Sequence, residues 1–240
     1  MAETTAEGMQ AALQRQRDAF RRAPAPDHAE RDGRLARLDA MVRQHRARFA
    51  AAIAQDFGAR NRHETLLLEI GPTLAAIRHA RRHLKRWMRP ERRASSIEFL
   101  SVRNRVQYQP LGVVGIMVPW NYPLFLALGP LVDVLAAGNR ALIKPSEFTP
   151  SCNAVLAEAI AATFAPEDVA VIAGGVAAAE AFSGLPFDHL VFTGSGNVGR
   201  RVMAASAPAA SAPITASRAS AVSAMPAASP NRSGRSTRCT

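Results

Sequence analysis

Lysine is nearly missing from this sequence: of its 30 basic residues only Lys85 and Lys144 are lysines. Cysteine is as scarce. Cys152 and Cys239 are too few for a disulfide framework or a metal-ligand cluster, which suits a reduced compartment. Tyrosine and tryptophan occur twice each, so the clustered aromatics that stack bases on nucleic acid are missing. No apolar run reaches the roughly 20 residues that a membrane helix needs; the run from Pro123 to Ala137 is interrupted by Gly129, Pro130 and Asp133. The N-terminus carries Glu3 and Glu7 in place of the basic start and apolar stretch of a secretory signal. What remains is a soluble globular protein, expected in the cytoplasm, with 48% hydrophobic residues to fill a core.

Acidic residues are missing from the end of the chain, and this shapes the net charge of +11. Residues 1–110 carry 22 basic and 12 acidic side chains, residues 111–205 carry 4 and 7, and residues 206–240 carry 4 and 0. The excess sits on helical flanks and a tail, whereas the best-patterned segment is slightly acidic, so no nucleic-acid partner is expected. The arginine and alanine bias is that of GC-rich coding DNA, which leaves individual arginines with little functional meaning.

Among the residues present, leucine, methionine, phenylalanine and alanine recur at three- and four-residue spacing over Thr4–Arg22 and Asp27–Phe57. This predicts two amphipathic helices, the second capped by Asp27 and ended at Phe57-Gly58. A third is predicted from Arg62 to Met88, ended by Pro90 and bent at Gly71-Pro72, with Leu66, Leu67, Ile70, Leu74, Ile77 and Leu84 as its apolar stripe. Ser96 to Tyr108 reads as two short strands with a turn near Arg103-Asn104. From Leu111 the pattern changes to short apolar runs at Val113–Val118, Ala141–Ile143, Val169–Ala173 and Leu190–Phe192, separated by the helical segments Pro123–Ala137, Pro150–Phe164 and Val176–Ser183 and followed by Ser195–Ala205. Runs without polar alternation fit strands buried on both faces, so the fold class is α/β with a doubly wound parallel sheet. The chain divides into a helical region (1–95), a strand pair (96–110), a nucleotide-binding layer (111–205) and a tail (206–240). The tail holds ten alanines, eight serines and four prolines without an acid, a lysine or an aromatic, and is expected to be disordered.

Three segments could carry chemistry. Gly194-Ser195-Gly196-Asn197-Val198-Gly199 fits G-x-G-x-x-G between a strand and a helix, either as a phosphate cradle or as a plain glycine-rich turn. The common dinucleotide fingerprint needs an acid about 20 residues further on, and no Asp or Glu follows Asp188. Any ribose must therefore be held from elsewhere. Lys144 and Glu147, at the end of a strand, offer a donor and an acceptor for adjacent hydroxyls, or else form a solvated strand end. In Val118-Pro119-Trp120-Asn121-Tyr122-Pro123 two prolines stiffen a turn that holds Asn121, whose amide either serves loop backbone groups or donates to an oxyanion formed from a carbonyl.

Taken in order, Pro110 to Pro123, Ala136-Ala137-Gly138-Asn139, Lys144-Pro145-Ser146-Glu147, Gly174-Gly175 and Phe192-Thr193-Gly194-Ser195 resemble the aldehyde dehydrogenase superfamily over most of residues 10–205. The wording near Trp120 is most similar to the shorter members acting on fatty and aromatic aldehydes, including coniferyl aldehyde dehydrogenases. The resemblance implies an aldehyde substrate, NAD as cofactor with NADP as an alternative, and homodimers whose oligomerisation arm begins near Ile97–Tyr108. It implies Asn121 as the oxyanion-hole amide, Met117 and Trp120 as walls of the cofactor cleft, and Lys144 and Glu147 as the pair on the adenosine ribose. Gly175 falls where the backbone passes the adenine side. Gly194, Ser195, Val198 and Gly199 fall under the pyrophosphate, with Gly196 replacing the more usual threonine.

The family mechanism uses a cysteine thiolate to attack the aldehyde and a glutamate to activate the hydrolytic water. Ala212-Pro213-Ile214-Thr215 echoes the family's Thr-Pro-Val-Thr, but Ala216-Ser217-Arg218-Ala219 stands where Leu-Glu-Leu-Gly is usual. The general base position thus carries Ser217, and the nucleophile would lie beyond Thr240. Cys152 reads as a small core residue, and Cys239 sits in patternless sequence. Loss of pattern into Ala, Ser, Pro and Arg is what GC-rich DNA yields out of frame, so a frameshift between Ser206 and Ala216 is expected. Resequencing the gene tests this. A displaced reading frame encoding Leu-Glu-Leu-Gly-Gly is the expected result, and its absence would overturn the expectation.

Overall fold

The computed structural model describes residues 3–95, 103–206 and the backbone of 214–218. Two amphipathic helices open it, α1 (Ala6–Arg22) and α2 (His28–Phe57). The Thr5 hydroxyl accepts from Gly8 N at 3.1 Å and Asp27 Oδ1 from Glu30 N at 2.8 Å, each satisfying an N–H that a first helical turn leaves unpaired. The predicted third helix is instead α3 (Arg62–Thr65), a π-type turn at Leu66–Ile70 and α4 (Gly71–Trp87). Pro72 has no N–H for the regular ladder, and the wider turn accommodates that loss just upstream. The turn leaves Leu67, predicted in the apolar stripe, 72% exposed and buries Glu69 completely.

After α4, β1 (Glu91–Arg93) pairs antiparallel with β2 (Asn104–Val106). Asn104, expected in a turn, thus pairs with Arg93, and the first strand predicted from Ser96 falls outside the described residues. Exposed strands made of Glu, Arg and Asn show no apolar alternation to read. Residues 96–102 lie outside the described residues.

The apolar runs become β3 (Val113–Met117), β4 (Arg140–Lys144), β5 (Val169–Val171) and β6 (His189–Gly194), with a further β7 (Ile214–Arg218), all parallel in the order β5-β4-β3-β6-β7. From β3 the chain moves outward through α5 (Phe125–Ala136) and α6 (Pro150–Thr163), returns through α7 (Val176–Ser183) to the other side of β3, and continues through α8 (Gly196–Ser206). The winding direction therefore reverses between β3 and β6. Val114, Ile116, Ala141 and Ile143 face a core shared with α2, α4, α5 and α6. Val113, Met117, Leu142, Leu190 and Phe192 face the opposite core, shared with α1, α7 and α8. Among the described residues no helix is long and apolar enough to cross a membrane.

Strand β7 departs from the expectation of a disordered tail. Ile214 pairs with Leu190 and Arg218 with Gly194, on the edge of β6. An open strand edge offers N–H and C=O groups to any extended segment, whether or not its side chains are apolar. Residues 207–213 and 219–240 lie outside the described residues.

Two polar ties hold these layers in register. Helix α5 ends in a left-handed glycine, Gly138 at φ 86, with Gly138 N donating to the Leu135 carbonyl at 3.0 Å and Asn139 N to the Val134 carbonyl at 2.9 Å. Arg31 of α2 packs on that turn and donates to the Ala136 carbonyl at 3.2 Å, while Asn139 Oδ1 accepts from Leu111 N at 2.6 Å and Gly112 N at 3.0 Å. The second tie is Glu69, whose Oε2 accepts from Leu124 N at 2.8 Å and Phe125 N at 3.2 Å at the start of α5, and whose Oε1 accepts from Arg60 at 3.2 Å. Burying a carboxylate costs several kcal/mol, and three charge-assisted hydrogen bonds of about 1.5–3 kcal/mol each offset that cost.

Gly138→Ala forces a side chain into the left-handed region and against the Arg31 guanidinium, where a Cβ would lie 2.7 Å from Cζ. It is expected to lower stability by about 2 kcal/mol in urea unfolding. Burial pushes the Glu69 carboxyl above its ordinary value, against the opposing pull of the Phe125 and Leu124 N–H groups and Arg60. The native state then keeps this proton to higher pH than the unfolded chain does. The Glu69 contribution is full below the ordinary carboxylate pKa and falls as pH rises through the raised one. Relative to Glu69→Gln, the wild type is expected to lose stability over that window, and parallel stability–pH curves would refute the assignment.

Candidate functional site

Parallel pairing brings the ends of three predicted segments together. Met117 is opposite Lys144 on one side and Phe192 on the other, and Val118 N donates to the Lys144 carbonyl at 3.0 Å. The loops carrying Asn121, Lys144 and Gly194 thus leave neighbouring strands at the carboxyl edge, beside the reversal of winding, where open α/β sheets bind ligands. The loop to Gly175 leaves from β5, the next strand outward.

The Asn121 loop is braced from outside the sheet. Glu69 holds its exit at Leu124 and Phe125. The Arg60 guanidinium lies 3.8 Å from the centre of the Phe57 ring and 5.0 Å from that of Tyr122, and the Trp120 ring tilts on Phe57 at 6.1 Å. Trp120 remains 54% exposed, whereas Met117 is buried in the core under α1, α7 and α8. Asn121 Oδ1 is buried without a hydrogen-bond partner. It therefore accepts from no loop N–H. A buried oxygen left unpaired costs about 1–3 kcal/mol, a cost that a braced loop can bear.

Lys144 ends β4 with its side chain only 3% exposed. Its Nζ donates to the Pro145 carbonyl at 2.8 Å, using one of three ammonium donors. Burial pushes its pKa down, while the carboxylates of Glu147 and Glu3 hold it up. Glu147 is half-buried on the following loop. Gly175 precedes α7, and its N–H donates to Glu3 Oε1 at 3.2 Å.

At the end of β6, a Cβ on Gly194 would fall 2.5 Å from the Phe192 ring and one on Gly199 would fall 3.3 Å from it. These glycines let the start of α8 close on the sheet. Ser195 and Val198 lie exposed on that turn, Val198 N facing the Ser195 hydroxyl at 3.4 Å and Gly199 N donating to the Ser195 carbonyl at 2.9 Å. Ser217, on β7, is in register with Thr193.

Cys152 is fully buried in the first turn of α6, where Asp56 accepts from Ser151 N at 2.9 Å and Cys152 N at 2.8 Å. A helix N-terminus lowers a thiol pKa. Here burial wins, reinforced by Glu69 and Asp56, and the Cys152 thiol is pushed far up. It is a core residue, as its sequence context suggests. Cys239 lies outside the described residues.

Sequence reasoning did not find Glu3, Arg60 or Glu69. Glu69 left one signal, a lone acid in the apolar run Leu66-Leu67-Leu68-Glu69-Ile70. Glu3 left none, because its partner Gly175 lies far away along the chain; Arg60 is one of many arginines, and its nearby partners Phe57, Glu64 and Glu69 do not mark it out.

Comparison with known proteins accords with this geometry. Residues 1–219 match the aldehyde dehydrogenase family, past the break expected between Ser206 and Ala216. A protein of Pseudomonas aeruginosa named as a probable coniferyl aldehyde dehydrogenase is 47% identical over 199 residues, covering 83% of this chain and 42% of the relative. The coniferyl aldehyde dehydrogenase of Pseudomonas sp. strain HR199 is 45% identical over 177 residues, covering 72% and 36%. The substrate-bound AldH of Staphylococcus aureus superposes with a TM-score of 0.83 at 32% identity, covering 87% of this chain and 45% of that one. The chain spans about two fifths of the length of the curated relatives it matches. With the family pattern matched along nearly its whole length and relatives well above 30% identity, this chain belongs to the aldehyde dehydrogenase family.

Proposed function

We propose that this chain forms the cofactor-binding half of an NAD(P)-dependent aldehyde oxidoreductase, with NAD preferred and aldehydes of the coniferyl type as substrates. One observation carries the reading: a buried, under-partnered ammonium at Lys144, the last residue of β4, lies next to the loop that leaves the adjacent β3 with a buried, unpaired amide oxygen at Asn121. A dinucleotide fits this donor set. Lys144 would donate to the adenosine ribose hydroxyls and Glu147 would accept from them, while the backbone at Gly175 would pass the adenine. Gly194, Ser195, Val198 and Gly199, around the start of α8, would place the pyrophosphate at the N-terminus of that helix. Met117 and Trp120 would wall the cleft toward the nicotinamide.

When bound, nicotinamide dinucleotide supplies the hydride acceptor for aldehyde oxidation. Asn121 would turn its N–H groups toward the substrate carbonyl, where negative charge develops, a contribution of ~3 kcal/mol when such a donor is preorganised. The position matching the family's general base carries Ser217, whose hydroxyl is no base near neutral pH. The Cys152 thiol is buried and held protonated, so among the described residues no thiol is available for attack. Pairing of two copies through the β1–β2 region belongs to the same reading.

The purified chain, titrated by calorimetry, is expected to bind NAD+ and to give no turnover with coniferyl, other aromatic or aliphatic aldehydes. Lys144→Ala should weaken NAD+ binding at least about tenfold, the worth of a buried charge-assisted hydrogen bond. A folded chain that binds neither NAD+ nor NADP+ would refute the cofactor reading, and measurable turnover would refute the assignment at Ser217.

A further inference from the structure

The segment before α1 reaches into the adenosine end of the proposed cofactor site. Thr4 fastens it in both directions: Thr4 N donates to the Ala173 carbonyl at 2.9 Å, and Ala173 N donates to the Thr4 hydroxyl at 3.1 Å. Thr5 caps α1, and Met9 and Leu13 anchor that helix in the core with Phe182 and Phe187. So held, Glu3 places Oε1 3.2 Å from Gly175 N. The approach depends on glycine at the neighbouring position. Gly174 has φ 145, and a Cβ there would lie 2.4 Å from the Ala178 Cβ and 2.9 Å from Glu3 Oε1.

Lys144 lies within electrostatic reach of two carboxylates. Glu147 follows it on its own loop, and Glu3 arrives from the N-terminal segment; both hold the ammonium in its charged form against burial. One positive charge faces two negative ones. A ribose diol suits such a place, because it is neutral and can donate to carboxylates. A ribose 2′-phosphate does not, because it carries about −1.5 to −2 near neutral pH and only accepts hydrogen bonds.

We infer that Glu3 is a second cofactor-selecting carboxylate, which acts with Glu147 to exclude a 2′-phosphate and so favours NAD+ over NADP+. The inference rests on the cofactor reading above. It also assigns a purpose to the Thr4–Ala173 fastening, which makes a residue at the very start of the chain part of a site otherwise built from strand ends.

Calorimetric titration of NAD+ and NADP+ into wild type, Glu3→Gln and Glu3→Lys tests it. Glutamine keeps an oxygen for Gly175 N and removes only the charge, so the segment stays in place. Glu3→Gln is expected to raise NADP+ affinity about tenfold while NAD+ affinity stays within about threefold, and Glu3→Lys to raise NADP+ affinity further. The wild-type preference for NAD+ should also shrink with added salt, and that dependence should flatten in Glu3→Gln. An unchanged NADP+ to NAD+ ratio in both variants, with NAD+ still bound, would overturn the role of Glu3 and leave the cofactor reading standing. Absence of binding by the folded wild type would overturn both.

Discussion

Strand β3 has no free side. Its edges are hydrogen-bonded to β4 and β6, and all five of its residues are buried between two helical layers. A parallel strand in that position admits one register, because a slip of one residue would turn Val114 and Ile116 toward the wrong core. From this constraint follow the opposition of Met117 to Lys144 and Phe192, the common edge from which three loops depart, and the reversal of winding beside them. The candidate site is what that edge presents.

Polar groups inside such a fold are costly, and each buried one described here is matched to a task. Glu69 is held by two backbone N–H groups and Arg60, and in return it fixes where α5 begins and how the Asn121 loop ends. Arg31 and Asn139 close the other end of α5. Arg140 ties the start of β4 to the loop before β5, donating to Asp168 at 2.6 Å, with Arg34 of α2 joining Asp168 at 3.2 Å. Among the described residues the Asn121 oxygen is buried without a partner, as are Gln16 Oε1, Thr65 Oγ1 and His189 Nδ1.

Much of this was legible in advance. The apolar runs after Leu111 lie on the observed strands because β3 and the centre of β4, Ala141 to Ile143, are buried on both faces and filled by apolar or small residues. Ala136-Ala137-Gly138-Asn139 was recognisable because one left-handed glycine and one bridging amide are needed to turn from α5 into β4. The strand at Glu91 and β7 were missed, since both are held by backbone pairing that side-chain pattern does not report. The π-type turn escaped as well, because the apolar spacing around Gly71-Pro72 fits a bent helix as readily.

From the sequence alone came the α/β class, the order of its elements and the residue types placed at each strand end, because burial on two faces and glycine-dependent turns leave marks at short range. Only the tertiary structure decided that Glu69 braces the Asn121 loop and that Glu3 meets the Gly175 N–H. Those contacts join residues far apart along the chain, and no local pattern encodes the partner that a buried or fastened charge will meet.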